Sequence, residues 1–297
     1  MAEGTSEGSA ARAPGAGLDS AAAAPDDADD LRGFYFRLLL GKPLTWLLLG
    51  LEVLTVGVLA AVFLGPAIGA AAALGAFLLG LLVVLAIADS RSEEAFFDVY
   101  GRRRKMTVYG RSRLPQATPL LRKGDDRYAE RALEGRLGEG VDGMVALYTY
   151  EEESTDGEGN RQTNYYRYTV GLAAVPECAG FVPELYCRRK FGLRALEKFE
   201  DVFRRSKERV ELESEELDKR YEIFAGKAQD AVWLRRLFSP TFIVWLTDSA
   251  PQKFAFELVD GNLCCYVSGH KKKAAELDAI CAASTAVATR LREEALE

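Results

Sequence analysis

The chain has 297 residues, of which 48% are hydrophobic, so it is long enough for about two ordinary domains. Its net charge of -6 argues against a nucleic-acid-binding protein, because such proteins present basic surfaces to phosphate groups. Five cysteines without a CxxC pair and a single histidine predict buried reduced thiols, and we expect neither a metal nor a cofactor.

The N-terminal residues 1–30 are nearly all Ala, Gly, Ser, Asp and Glu. Such a composition cannot bury enough apolar surface to offset the entropy of ordering, so it predicts a disordered acidic tail. An acidic start also differs from a secretory signal, which begins with basic residues. Residues 31–43 then form a juxtamembrane segment.

Residues 44–88 are almost uninterruptedly apolar, and Glu52 is their single charged residue. One helix of this length would measure about 67 Å, at 1.5 Å per residue. The hydrocarbon core of a bilayer is only about 30 Å thick. Because Gly65-Pro66 supplies a helix break, we predict a transmembrane hairpin with spans at residues 44–64 and 67–88.

Basic residues flank the hairpin on both sides. Residues 101–123 contain eight of them and no acid, and Arg32, Arg37 and Lys42 precede the first span. Positive flanks stay in the cytoplasm, so we expect a protein of the cytoplasmic membrane with both termini on the cytoplasmic side. Residues 89–105 predict a basic juxtamembrane helix. The helix ends in a basic cluster that consists of Arg102, Arg103, Arg104 and Lys105. This cluster is either a topology signal or a contact for anionic lipids.

Two features inside the spans suggest contacts. Glu52 lies near mid-depth, where a charge costs about 2.5–3.5 kcal/mol on insertion scales. It is a tolerated neutral side chain, a contact to a partner subunit, or an ion site. The second span carries small residues that allow close helix packing, against the first span or another copy: Gly69, Ala72, Ala73, Gly75, Ala76 and Gly80.

Residues 106–297 predict a cytoplasmic α+β domain with a mainly antiparallel sheet. In chain order we expect a helix at 125–137, a hairpin at 141–153 and 161–176, a strand at 180–189 and a helix at 193–205. They are followed by two short strands, at 208–214 and 219–226, which flank an acidic turn. Next come a helix at 228–248 broken at Ser239-Pro240 and a hairpin at 253–269 with Asp260-Gly261 in its turn.

A long helix follows at the end of the chain. Residues that repeat with a period of seven form a stripe on it, which packs against the core or forms a coiled coil with another chain: Leu277, Ile280, Ser284, Val287 and Leu291. Tyr166 and Tyr168 share one strand face and form a possible interaction surface. His270, at a strand-to-helix turn, predicts an exposed or capping side chain.

Three stretches resemble the C-terminal half of a group of uncharacterised bacterial membrane proteins, many of them actinobacterial: Glu216–Ile223, Leu237–Phe242 and Phe254–Val267. The resemblance covers about the last 90 residues and the hairpin layout. It implies a membrane location and no particular activity.

The sequence contains no GxSxG, P-loop, HExxH or GxGxxG motif, so we do not expect an enzyme. The favoured function is a protein-interaction or scaffolding module. The partners are then the lipid bilayer and another membrane protein or a second copy. One alternative is an accessory subunit of a transport or envelope-assembly complex that uses Glu52 in the membrane. The other is an enzyme on a membrane-derived substrate, which would need a deep pocket with two or more buried carboxylates.

Overall fold

The computed structural model describes residues 27–155, 159–190, 207–227 and 229–296. Most of the predicted tail and the predicted helix at 193–205 lie outside these ranges. The first described element, α1 (Ala28–Leu40), begins within the segment predicted as tail. Asp27 explains the early start, because its Oδ1 accepts a hydrogen bond from the Asp29 amide and so caps the helix.

Two long apolar helices follow, α2 (Pro43–Leu64) and α3 (Pro66–Arg104), with Gly65 between them in a left-handed conformation at φ +99°. Each is long and apolar enough to cross a membrane. Their large side chains are exposed, for example Phe63 at 79% and Leu74 at 61%. A core helix of a soluble protein would bury such residues, so this surface is compatible with insertion into a bilayer.

The second apolar helix does not stop at the end of its apolar stretch. The predicted boundary between a span at 67–88 and a separate helix at 89–105 is absent, because α3 continues for 39 residues, about 58 Å. The buried side chains of Phe96, Phe97 and Tyr100 dock its last turns into the core of the soluble domain. The apolar hairpin and the domain therefore share one continuous element.

The described part of the soluble domain contains a nine-stranded sheet in which every pairing is antiparallel, as predicted. The strand order is β1-β2-β3-β4-β9-β8-β5-β7-β6. The strands are β1 (Thr107–Tyr109), β2 (Asp126–Gly138), β3 (Val141–Thr155), β4 (Arg161–Ala174), β5 (Glu184–Arg189), β6 (Lys207–Arg209), β7 (Tyr221–Gly226), β8 (Ala255–Val259) and β9 (Asn262–Ser268).

Four helices complete the described domain: α4 (Glu215–Arg220), α5 (Ala231–Leu237), α6 (Pro240–Val244) and α7 (Ala274–Leu296). The predicted break at Ser239-Pro240 is confirmed, since Ser239 caps α6 and Pro240 is its first residue. The turn of the β8–β9 hairpin is also confirmed. Asp260 and Gly261 both have positive φ, at +46° and +74°, which is typical of a type I′ turn.

Two predicted elements differ from the structure. The segment predicted as a helix at 125–137 is strand β2, and the stretch between β6 and β7 contains α4 rather than a simple acidic turn. In β2 the pairing with β3 shifts register between Ala129 and Arg131, which is a β-bulge. The bulge places Ala129 and Ala132 on the same face although they are three residues apart, and this spacing imitates a helix.

The sheet has a core on each face. On the first face, α7 packs across β2, β3, β4 and β9, and its predicted stripe is buried. The stripe therefore serves the core of this chain and leaves no apolar seam for a coiled coil. On the second face lies a cluster rich in tyrosine, covered by the segment that contains Leu114, Leu120 and Leu121.

Candidate functional site

Some of the small residues of α3 allow close packing against α2. A Cβ added at Gly69 would lie 2.8 Å from the backbone nitrogen of Ala61, and one added at Gly57 would lie 3.0 Å from the Cβ of Ala73. Such contacts are closer than side chains allow, so the missing side chains are what lets α2 and α3 approach. This arrangement corresponds to the prediction of packing against the first span.

Glu52 opens into a cleft between α2 and α3. The cleft has a volume of about 210 Å³, and the side chains around the carboxylate are almost all apolar, among them Leu48, Val83 and Ile87. Gly80 provides the space, since a Cβ there would lie 2.9 Å from Glu52 Oε2. The side chain is half-buried, and within the described residues no cation or hydrogen-bond donor pairs with its carboxylate. The arrangement offers one acceptor group to a donor that enters from the apolar side.

The predicted cluster Arg102, Arg103, Arg104 and Lys105 lies at the far end of α3. Arg102 lies fourteen residues beyond Ala88 on the same helix, which is about 21 Å along the axis. Arg104 is also engaged inside the domain, because its Nη2 donates to the Leu137 carbonyl oxygen at 2.8 Å. A topology signal does not require proximity to the bilayer, whereas a lipid headgroup contact does, and both interpretations of the cluster stay predictions.

The predicted tyrosine surface is only partly a surface. Tyr168 is 3% exposed and Tyr166 is half-buried, and both rings stack on Tyr150, at centroid distances of 5.9 and 4.9 Å. The prediction of Tyr168 in an interaction surface is wrong, because the segment around Leu120 covers that face of the sheet. Tyr165, on the opposite face, is 51% exposed.

Beneath the tyrosines lies a buried cluster of charges. Glu257 is fully buried; its Oε2 accepts from the Leu120 amide at 2.9 Å, and its Oε1 lies 3.3 Å from Arg188 Nη2. Lys123 is 2% exposed, and burial lowers the pKa of its amine to about 8. The one sequence signal for this cluster was Glu257 itself, an acid within the apolar strand FAFELV.

The side chain of His270 is largely buried rather than exposed. Its Nε2 lies 3.2 Å from both Thr149 Oγ1 and the Tyr148 carbonyl oxygen, and its Nδ1 lies 3.6 Å from Glu130 Oε2. Its side chain is only 7% exposed, and burial lowers the pKa of the imidazole. Gly269, at φ +84°, forms a turn that brings His270 against β3. The sequence alone gives no sign of this contact.

All five cysteines are buried and reduced, as predicted. Burial raises the pKa of the thiols, for example to about 11 for Cys178 and about 12 for Cys265. Neutral thiols of this kind are poor nucleophiles. The described residues include no group of three or more metal-ligating side chains.

These elements define a class of protein: an apolar two-helix hairpin joined through one continuous helix to an antiparallel α+β domain. Comparison of the chain with models of protein families, with curated proteins and with solved structures found no match. The resemblance to a group of bacterial membrane proteins therefore stays a prediction.

Proposed function

We propose that this chain is a non-enzymatic protein of the cytoplasmic membrane in which α2 and α3 anchor a cytoplasmic module that binds a partner protein. The supporting observation is the continuity of α3. Phe96 and Phe97 are fully buried in the domain, although they belong to the helix that begins at Pro66. A domain held in this way keeps a fixed orientation relative to the bilayer, which suits a scaffold.

The buried acids favour binding over catalysis. In the described residues, Glu257 and Glu294 are the buried carboxylates, and each has its own cationic neighbours. Glu257 pairs with Arg188, whereas Glu294 pairs with Arg290 at 2.5 Å and with Arg236 at 3.1 Å. An enzyme with two cooperating carboxylates would need them in one accessible pocket. Here they stabilise separate parts of the fold.

Purification from native membranes tests the proposal. We would extract the C-terminally tagged chain in a gentle detergent and determine the mass and the composition of the complex. The expected result is a stoichiometric partner or a defined homo-oligomer. A monodisperse single copy without a partner, in every detergent that preserves the fold, would contradict a scaffolding role.

The cleft at Glu52 supports a second candidate, an accessory subunit that contacts its complex inside the membrane. Its carboxylate is half-buried among apolar side chains and has Gly80 beside it, so a donor from another helix has room to approach.

Two substitutions on α2 test this candidate. Glu52→Leu should release an intramembrane partner. The matched change Thr55→Val should retain it, because the Thr55 hydroxyl is satisfied by the carbonyl oxygen of Leu51 at 2.7 Å. Equal recovery of the partner with both variants, at equal membrane levels, would exclude Glu52 from the interface.

A further inference from the structure

Strand β4 extends beyond its neighbour β9. The β4–β9 pairing ends at Tyr168 opposite Ser268, whereas the β3–β4 pairing continues to Thr155 opposite Arg161. Within the described residues, the outer edge of β4 therefore has no partner strand from Arg161 to Tyr166. Residues 161–167 are here called the open edge. A strand edge of this kind is a template for pairing with another chain.

The backbone groups that point outward follow from the hydrogen-bond pattern. The Gly269 amide donates to the Arg167 carbonyl oxygen at 2.8 Å, so Arg167 directs its backbone groups away from β3. In antiparallel sheets this direction alternates along a strand. The amide and carbonyl groups of Arg161, Thr163 and Tyr165 consequently point outward too, which matches an incoming strand of about five to seven residues.

The side chains of the open edge favour an acidic strand. The side chains at every second position of the open edge lie on the same face of the sheet and are exposed: Arg161, Thr163, Tyr165 and Arg167. Neither guanidinium forms an ion pair within the described part of the chain, although Arg167 lies 5.7 Å from the Tyr165 ring centroid. The acids of β3, such as Glu151 and Glu153, lie one strand further in. An added strand would be about 10 Å from them and about 5 Å from the arginines.

We propose that the open edge binds an extended, acidic segment of a partner protein as an additional strand of the sheet. The inference rests on the proposed function as an interaction module and names its partner chemistry. A second copy of this chain fits less well, because antiparallel self-pairing centred on Asn164 would place Arg161 opposite Arg167. Like charges directly opposite in a sheet are destabilising.

The position of the open edge agrees with a partner at the membrane. Four residues after β9 ends, Lys272 pairs with Glu93 of α3 at 2.5 Å. Glu93 is only five residues, about 8 Å along the helix, beyond the apolar stretch that ends at Ala88. The open edge continues from this same end of the sheet, so the captured segment belongs to a chain that runs close to the bilayer surface.

The test uses the full chain in detergent micelles and a fluorescent eight-residue peptide that alternates glutamate and valine. Thr163→Pro removes an outward amide hydrogen and leaves the pairing with β3 intact. Thr163→Val is its matched control, because it keeps the amide. The double variant R161E/R167E reverses the charge at the open edge. Its control is Arg136→Glu, at a side chain that is 75% exposed on β2.

We expect Thr163→Pro and R161E/R167E to weaken peptide binding about tenfold or more, measured by fluorescence anisotropy, and both controls to bind like the wild type. Binding should also protect the amides of Thr163 and Tyr165 from hydrogen exchange. Absence of binding to the wild type, or equal affinities for Thr163→Pro and Thr163→Val, would overturn the inference. A co-purified native partner retained by Thr163→Pro would also overturn it, and would leave the proposed function in place.

Discussion

At the scale of single residues, Lys123 is the charged side chain whose burial has the clearest thermodynamic consequence. It is 2% exposed, and its pKa is lowered to about 8 by the loss of hydration. In the unfolded chain a lysine titrates near pH 10.4. Between these values the unfolded chain binds the proton and the folded chain does not, so the contribution of Lys123 to stability rises with pH across this window.

Replacing Lys123 with Met should remove this contribution. The difference in unfolding free energy, wild type minus Lys123→Met, should increase between pH 8 and pH 10 by up to about 1.4 kcal/mol per pH unit. The difference is the useful quantity, because the buried thiols, whose pKa values are raised, lose stability with rising pH in both proteins. Urea titrations over this pH range measure the difference, and Lys219→Met, at a side chain that is 66% exposed, is the control substitution.

At the scale of elements, the pair Gly69 and Gly75 separates packing from helix propensity. Both lie on α3, but an added Cβ at Gly69 meets the backbone of Ala61 at 2.8 Å, whereas one at Gly75 meets nothing within 4 Å. Gly69→Val should therefore force α2 and α3 apart and destabilise the hairpin by about 1–3 kcal/mol. Gly75→Val changes the helix propensity in the same way but adds no clash with α2. Its thermal midpoint of unfolding in detergent should therefore equal or exceed that of the wild type. Equal loss in both variants would mean that the two helices do not pack as described.

Elements with strong local signals could be predicted from the sequence, and elements shaped by distant contacts could not. The Gly65-Pro66 break, the cap at Ser239 and the Asp260-Gly261 turn depend on the conformations of a few neighbouring residues. The sequence of β2 predicts a helix because Asp125 and Asp126 at its start are typical of a helix N-terminus. The bulge near Glu130 gives no local signal of its own, and only pairing with β3 makes it visible.

The candidate sites follow the same rule. Glu52 could be found from the sequence because a lone charge in an apolar span is a local anomaly. The open edge could not, since it depends on where β9 ends relative to β4. The sequence predicts Tyr168 on a surface and His270 in an exposed or capping position, because nothing adjacent in sequence covers them. In the structure Leu120 covers the tyrosine face, and the Gly269 turn brings His270 against β3.

At the scale of the whole molecule, the distinctive property is that continuous helices join the hairpin to the domain in the described part of the chain. Besides α3, the N-terminal helix α1 bridges both parts. Its first turn is fixed to the domain by Asp27, which pairs with Lys273 at 2.8 Å, and its last turn packs beside Val84 and Ala88 through Leu39. Two separate elements thus restrain the rotation of the domain about the α3 axis.

This rigidity can be measured by the distance between two spin labels. One label at Leu74→Cys lies on an exposed position of α3, and the other at Glu139→Cys lies in the β2–β3 turn, about 45 Å away along the helix. The native thiols do not compete for label, because all five are buried. We expect a narrow distance distribution in the wild type. A Gly-Gly-Ser-Gly insertion after Ala88 should broaden it, because the insertion interrupts the helix between the two labels.

The same insertion after Gly65 lengthens only the hairpin turn and should leave the distribution narrow, since α3 remains intact between the labels. A broad distribution in the wild type would instead reveal a hinge within α3 and would remove the main support for a scaffold of fixed orientation. If rigidity matters for binding, the insertion after Ala88 should also reduce the recovery of a native partner, whereas the insertion after Gly65 should not. The paired insertions thus relate one mechanical property of the molecule directly to its proposed function.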